Sequence, residues 1–137
     1  MRLVLDTNVL ISAIFWGGKP RIVLELATIK HTLCFTKETI GELQEVLGYT
    51  KFEPHIRKLS FSIEEFLKSL FENAVIVSDF PQLSVIQEDP SDNKFLACAL
   101  AAHASFIISG DAHLLRLKHF QKILILSPHE FLKRLKD

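Results

Sequence analysis

Long apolar runs are missing from this chain. The longest stretches, such as Phe95 to Ala102, fall well short of the ~18 residues a membrane span needs. Asp6 interrupts the N-terminal apolar stretch before the hydrophobic region of a secretory signal can form, so a soluble, cytoplasmic protein is expected. Cysteine is scarce too. Cys34 and Cys98 lie in apolar surroundings with no CxxC or Cys/His spacing, which predicts two small core residues in a reducing compartment. None of the six histidines shows HxxxH or HxH spacing, and His103 and His113 read as structural or dipole-paired residues. There is no Gly-rich phosphate loop; Gly17-Gly18 reads as a helix stop. Net charge is absent as well, with 16 basic against 16 acidic residues, so no bulk field advertises a polyanionic partner. From Ala112 to Asp137 the balance shifts to six Lys/Arg against two acids, a pattern read as a solvated helix face or as a phosphate contact.

What remains is an ordinary globular composition. The 137 residues are 48% hydrophobic and 23% charged, which suits one domain over 1–137 with a real core. Eleven Phe against one Trp and one Tyr points to rings used for packing, because Phe carries no polar handle.

Short apolar segments alternate with amphipathic ones. Leu3-Val4-Leu5 stops at Asp6 and reads as a buried strand. Asn8 is then expected to cap a helix to Trp16, and Pro20 to open the next. His31 to Phe35 is a second strand, and Thr36 caps a helix through Leu47. Tyr49 to Ser60, broken by Pro54, is undecided. Ser62 with Glu65 is a capping-box pattern that opens a helix to about Glu72. Ala74 to Val77 reads as a strand, Ser78 to Pro90 as a loop, and Asp92 to His103 as a helix. Phe106 to Ser109 and Ile123 to Leu126 are strands, and a helix started by Ser127 closes the chain. Near-continuous apolar strands separated by helices predict an α/β fold with a mainly parallel sheet covered on both faces.

In such a sheet, ligands bind at the carboxyl ends of the strands. Two predicted strands end in aspartate, Asp6 and Asp111, and Asp92 opens the helix leading into the second of them. Simple topology brings the three towards one rim. Each acid also has a plainer explanation. Asp89-Pro90-Ser91-Asp92 is a good helix opening, with Asp89 as cap and Asp92 favoured by the dipole, and Asp111 suits a cap for Ala112 to Arg116. Asp6 is harder to dismiss, since a carboxylate directly after a buried strand is costly unless something pairs it. Several carboxylates at one rim repel, and a hard divalent cation such as Mg²⁺ or Mn²⁺ removes the conflict. Positioning a phosphate and activating water is the usual use of such a site, although spacing alone leaves phosphatase and plain metal-binding roles open.

The residues also resemble a known family. Asp6-Thr7-Asn8-Val9, the pair Glu42-Leu43, the run Asp89 to Ala99 and Ile107-Ile-Ser-Gly-Asp111 resemble, in order, the motifs of PIN domain proteins. Ile125 to Leu132 looks like the C-terminus of the branch holding VapC-like toxins of toxin–antitoxin pairs. The resemblance implies a three-layer α/β/α sandwich and Mg²⁺- or Mn²⁺-dependent endoribonuclease activity on RNA. It implies Asp6, Glu42, Asp92 and Asp111 as the catalytic, metal-holding acids, with Asp6 and Asp92 foremost as direct ligands. Asn8 and Ser109 match supporting polar positions, and Asp89 is an additional acid. An antitoxin protein and a homodimer are the implied partners. Helical periodicity by itself does not choose Glu42 over Glu38 or Glu45; the motif does. Other readings are a phosphatase with Asp6 as nucleophile, for which Asn8 stands where a second Asp is needed, and a non-catalytic RNA- or protein-binding module.

Overall fold

The computed structural model describes residues 1–78, 85–86 and 90–136. The chain opens with β1 (Arg2–Leu5), then α1 (Thr7–Phe15), α2 (Gly18–Lys30), β2 (Thr32–Thr36) and α3 (Lys37–Leu47). A short 3₁₀ turn at Thr50–Phe52 leads into α4 (Glu53–Arg57), α5 (Ile63–Glu72) and β3 (Val75–Val77). A 3₁₀ turn at Pro90–Asp92 starts the last third: α6 (Asn93–Ala101), β4 (Phe106–Ile108), α7 (Ala112–Leu117), β5 (His119–Phe120), β6 (Ile123–Leu126) and α8 (Pro128–Lys136).

The six strands form one sheet in the order β3-β2-β1-β4-β6-β5. Every pairing is parallel except β5 with β6. Because strand side chains alternate between faces, each central strand feeds two cores. Leu3 and Leu5 point to one face, where Leu10, Val23, Leu43 and Phe131 meet them; Val4, Cys34 and Ile107 point to the other, against Leu96, Cys98 and Leu114. Helices therefore cover both faces, and the α/β/α sandwich expected from the apolar strands is what forms.

Several local signals act as read. Thr36 caps α3 and exchanges hydrogen bonds with Thr39 in a capping box. Ser62 Oγ accepts from the Glu65 amide, one half of the expected capping box, whereas Ser127 and Glu130 exchange bonds in both directions. Gly17 and Gly18 both take positive φ (79° and 62°), which reverses the chain between α1 and α2. Arg21 closes that corner by donating to the carbonyls of Ala13 and Ile14 at the C-terminus of α1.

Two expectations need correction. Asn8 does not cap α1. Asp6 does, because it leaves the strand with extended geometry and its Oδ1 reaches the Val9 amide at 2.8 Å. The helix expected over Asp92 to His103 ends at Ala101, and His103 turns back at φ 54°. The undecided stretch Tyr49 to Ser60 is mostly helical, with Pro54 tolerated in the first turn of α4. Strand β5 gave no sequence signal: it has two residues, flanked by Lys118 and Gln121 at positive φ rather than by Gly or Asn.

Candidate functional site

At the carboxyl end of β1, Asp6 is 3% exposed. Its backbone N–H bonds the Ile108 carbonyl, extending the β1–β4 ladder by one step, so the carboxyl group is carried by the two central strands. One carboxylate oxygen caps α1; the other accepts a short hydrogen bond from the Ser109 hydroxyl. Ser109 Oγ in turn accepts from the Asp111 amide at 2.9 Å. Ser109, fully buried directly after β4, thus links two of the rim's acids. Burial pushes the Asp6 carboxyl up from its ordinary 3.8 to about 6. The Ser109 and Val9 hydrogen bonds pull it down and the Asp111 charge pushes it up again, but burial dominates.

Asp111 confirms its plain role and has a second one. Its Oδ1 caps α7, accepting from the amides of His113 (2.7 Å) and Leu114 (3.3 Å). Its side chain also lies against that of Asp92, with ligand atoms of the two within 4.8 Å. Burial, the largest influence on Asp111, raises its pKa, but the interaction with Asp92, the two amides and the nearby His113 together outweigh it and the net shift is down. Asp92 is 7% exposed and stands at the N-cap position of α6 without a side-chain capping bond. Helix capping therefore does not account for it. Two carboxyl groups this close repel when both are ionised, unless a proton or a cation offsets the charge.

His113 joins these two. Ligand atoms of Asp92, Asp111 and His113 all lie within 4.8 Å of one another. His113 Nδ1 is buried and has no hydrogen-bond partner, standing 3.7 Å from Asp111 Oδ1. Two close carboxyls and an unsatisfied imidazole nitrogen fit a divalent cation, which would offset the repulsion between the carboxyls and give the nitrogen a partner. The sequence reading set His113 aside because it looked for paired histidines. The useful signal was its position two residues after an aspartate, in the first turn of a helix that the aspartate caps.

Glu42 is placed differently from its neighbours on α3. Glu38 and Glu45 are exposed, whereas Glu42 is half-buried and its Oε2 lies 3.1 Å from Lys94 Nζ on α6. It stands outside the group of converging ligand atoms, as does Asp6, which reaches the group through Ser109. Lys94 was missed by sequence reasoning, and a lysine two residues after Asp92 carries no distinctive pattern. Asn8 is exposed in the first turn of α1, and Asp89 lies outside the described residues.

Asn93, also unflagged, organises the approach to Asp92. Its buried side-chain oxygen accepts from the amides of Val85 and Ile86, and its nitrogen donates to the carbonyls of Ile86 and Pro90. The segment at 85–86 is thereby tied to the start of α6.

With this geometry in view, comparison with known proteins is informative. Residues 2–113 match a family model described as PIN domain. The chain belongs to the PIN domain family. No curated protein matches the sequence significantly. Among solved structures, the PIN domain is similar to a chain in a crystal structure of VapBC2 from Rickettsia felis bound to a DNA fragment from their promoter. That match has a TM-score of 0.58 at 16% identity and covers 91% of this chain and 97% of the other. At that identity the likeness concerns the fold. Among the described residues, no helix of this PIN domain is long and apolar enough to cross a membrane.

Proposed function

We propose that this PIN domain is a divalent-metal-dependent endoribonuclease, acting in the cytoplasm as the toxin of a toxin–antitoxin pair. The observation that carries the reading is the close carboxyl pair Asp92–Asp111 beside the unsatisfied Nδ1 of His113, at the same sheet edge as buried Asp6. The fold-level likeness to a toxin–antitoxin complex supports the biological setting, with a small antitoxin protein and a second copy of the chain as the proposed partners.

In this reading Asp6, Asp92 and Asp111 hold Mg²⁺ or Mn²⁺, with His113 as a nitrogen donor beside them. Carboxylate oxygens suit both ions, and an imidazole nitrogen tilts the site towards Mn²⁺. A bound ion there neutralises charge on a phosphodiester and makes water a better nucleophile. The protein's own part is positional. Ser109 fixes the Asp6 carboxylate and the Asp111 backbone with one hydroxyl. Lys94 holds Glu42, which completes the acid set at the flank of the site. Asn8 supports from the first turn of α1, and Asp89 is a further acid close in sequence to Asp92.

Cleavage of structured RNA with Mg²⁺ or Mn²⁺ tests the reading. Asp6→Asn and Asp92→Asn should each abolish it; if both variants cut as well as wild type, the assignment is wrong.

A further inference from the structure

A cleft of about 520 Å³ runs along the exposed side of α1 away from the carboxylates. It starts at Asn8, two residues beyond Asp6, and passes Ser12 to reach Trp16 at the helix end. Its opposite wall is Lys51, Phe52 and His55 from the 3₁₀ turn and α4. Its volume falls within the roughly 300–1,000 Å³ typical of small-molecule sites.

Trp16 is 59% exposed, although it is one of the largest apolar side chains in the protein. It does not flap freely. Its ring packs edge-on against Phe15 and Phe52, and lies 5.0 Å from the His55 ring at 46°. Phe15 and Phe52 stack on each other beneath it at 5.3 Å. A base of buried Phe52 and partly buried Phe15 therefore holds an exposed aromatic top. Lys51 Nζ sits 5.2 Å from the Phe52 ring centre, which places an ammonium group at the cleft edge. No carboxylate lines the cleft among the described residues.

We propose that this cleft binds an unpaired nucleotide of the RNA, with the base stacked on Trp16 and the adjoining phosphate against Lys51. A fixed aromatic face with a cation beside it is what single-stranded nucleic acid requires, because every base offers a π-face and every linkage a negative charge. Asn8 and Ser12 supply amide and hydroxyl groups on the path between. At 1.5 Å per residue, Trp16 lies about 15 Å along the helix from Asp6, a short span of extended strand. The chemistry favours RNA over a protein segment, for which an exposed patch with an ammonium group and no carboxylate offers no particular match. The assignment rests on the ribonuclease reading of the neighbouring carboxylates and adds to it a preference for looped-out or single-stranded substrate.

Trp16 is the sole tryptophan of the chain, so its emission reports on the cleft directly. Short single-stranded oligo-uridylate and oligo-adenylate, titrated in EDTA to prevent cleavage, should quench it, and a blunt duplex of the same length should not. Trp16→Ala, followed by anisotropy of a labelled oligonucleotide, should weaken binding roughly 5- to 150-fold, and Trp16→Phe should restore most of it. Circular dichroism of both variants checks that the fold is kept. Lys51→Ala should flatten the salt dependence of binding by about 0.7 in log–log slope. Unchanged emission on oligonucleotide binding, equal quenching by duplex, or unchanged affinity of Trp16→Ala would each overturn the proposal and hand the surface to a protein partner. The two readings fail separately. Cleavage with an unaltered KM in Trp16→Ala removes the stacking site and leaves the nuclease; quenching by single strands in a protein that cuts nothing with either metal does the reverse.

Discussion

Replacing Asp6 with Asn should stabilise the metal-free protein, and the gain should depend on pH in a defined direction. Burial raises the Asp6 carboxyl from 3.8 to about 6, so between those values the folded state keeps a proton that the unfolded chain releases. Stability therefore falls as pH rises from about 4 to about 6 and is level above that. At ~1.4 kcal/mol per pH unit the gap amounts to about 3 kcal/mol at neutral pH. Asn is nearly isosteric and keeps an oxygen for the Val9 amide, but its NH₂ donates to Ser109 Oγ where the carboxylate accepted, so the buried Ser109 hydroxyl loses its acceptor and part of the gain is offset. For a domain of this size, the full gap of about 3 kcal/mol corresponds to a rise in Tm of at most roughly 10 °C. Thermal melts in EDTA at pH 4.5 and pH 7.5 would show it, with Asp6→Asn well above wild type at the higher pH and close to it at the lower. Added Mn²⁺ should reverse the order at pH 7.5, because only wild type retains the full ligand set. An Asp6→Asn variant that melts below wild type in EDTA at pH 7.5, or a difference indifferent to pH, would refute the claim that Asp6 is held at a cost.

The neighbouring residues give further expectations. Asn93→Ala leaves four backbone groups without their buried partner and should cost at least about 2 kcal/mol in urea unfolding, far more than a surface substitution. Lys94→Met should cost roughly 1–3 kcal/mol, because its pair with Glu42 is only about a quarter exposed and Glu42 Oε2 is shut off from water, so the carboxylate would lose its counter-charge; a negligible loss on denaturant titration would mean that the pair is screened. Ser109→Ala should lower Mn²⁺ affinity about 10- to 100-fold by calorimetry without unfolding the protein, the usual effect of removing a group that orients a ligand.

How much of this was legible in the sequence depends on whether the deciding contact is local. Leu3-Val4-Leu5 and Phe106-Ile107-Ile108 are buried on both faces, and unbroken apolar runs of strand length report that directly. The caps at Thr36, Ser62 and Ser127 are likewise written within four residues of the amides they bind. The convergence of Asp6 with Asp111 followed from strand ends, and the structure joins them through Ser109. What escaped was long-range or lacked a pattern. Nothing near Glu42 in sequence says that Lys94, 52 positions on, faces it across two packed helices. The Asn93 clamp depends on where the 85–86 backbone passes, and β5 on two residues at positive φ without glycine. The placement of Asn8 failed for a simpler reason: Asp6, a residue that both ends a strand and caps a helix, had been assigned only one of those duties.

That double duty runs through the whole site. Asp6 caps α1 with one oxygen and accepts from Ser109 with the other, and Asp111 caps α7 with Oδ1. Capping fixes the orientation of these side chains without help from any ligand, so the acids stay in place when no cation is bound. Their charge is then managed three ways. Asp6 takes up a proton as far as about pH 6, Asp111 draws on two backbone amides and on His113, and Glu42 borrows the ammonium of Lys94. Each arrangement puts positive charge where a divalent ion would otherwise supply it. A set of acids that served only to end helices would need neither the proton nor the ammonium, since exposed caps ionise freely in water. The substitutes differ in reach, however. The proton on Asp6 leaves as the pH rises, whereas Glu42 keeps its Lys94 partner at 3.1 Å, so in the proposed metal site Glu42 would be the acid least in need of an incoming ion and Asp6 the one most in need.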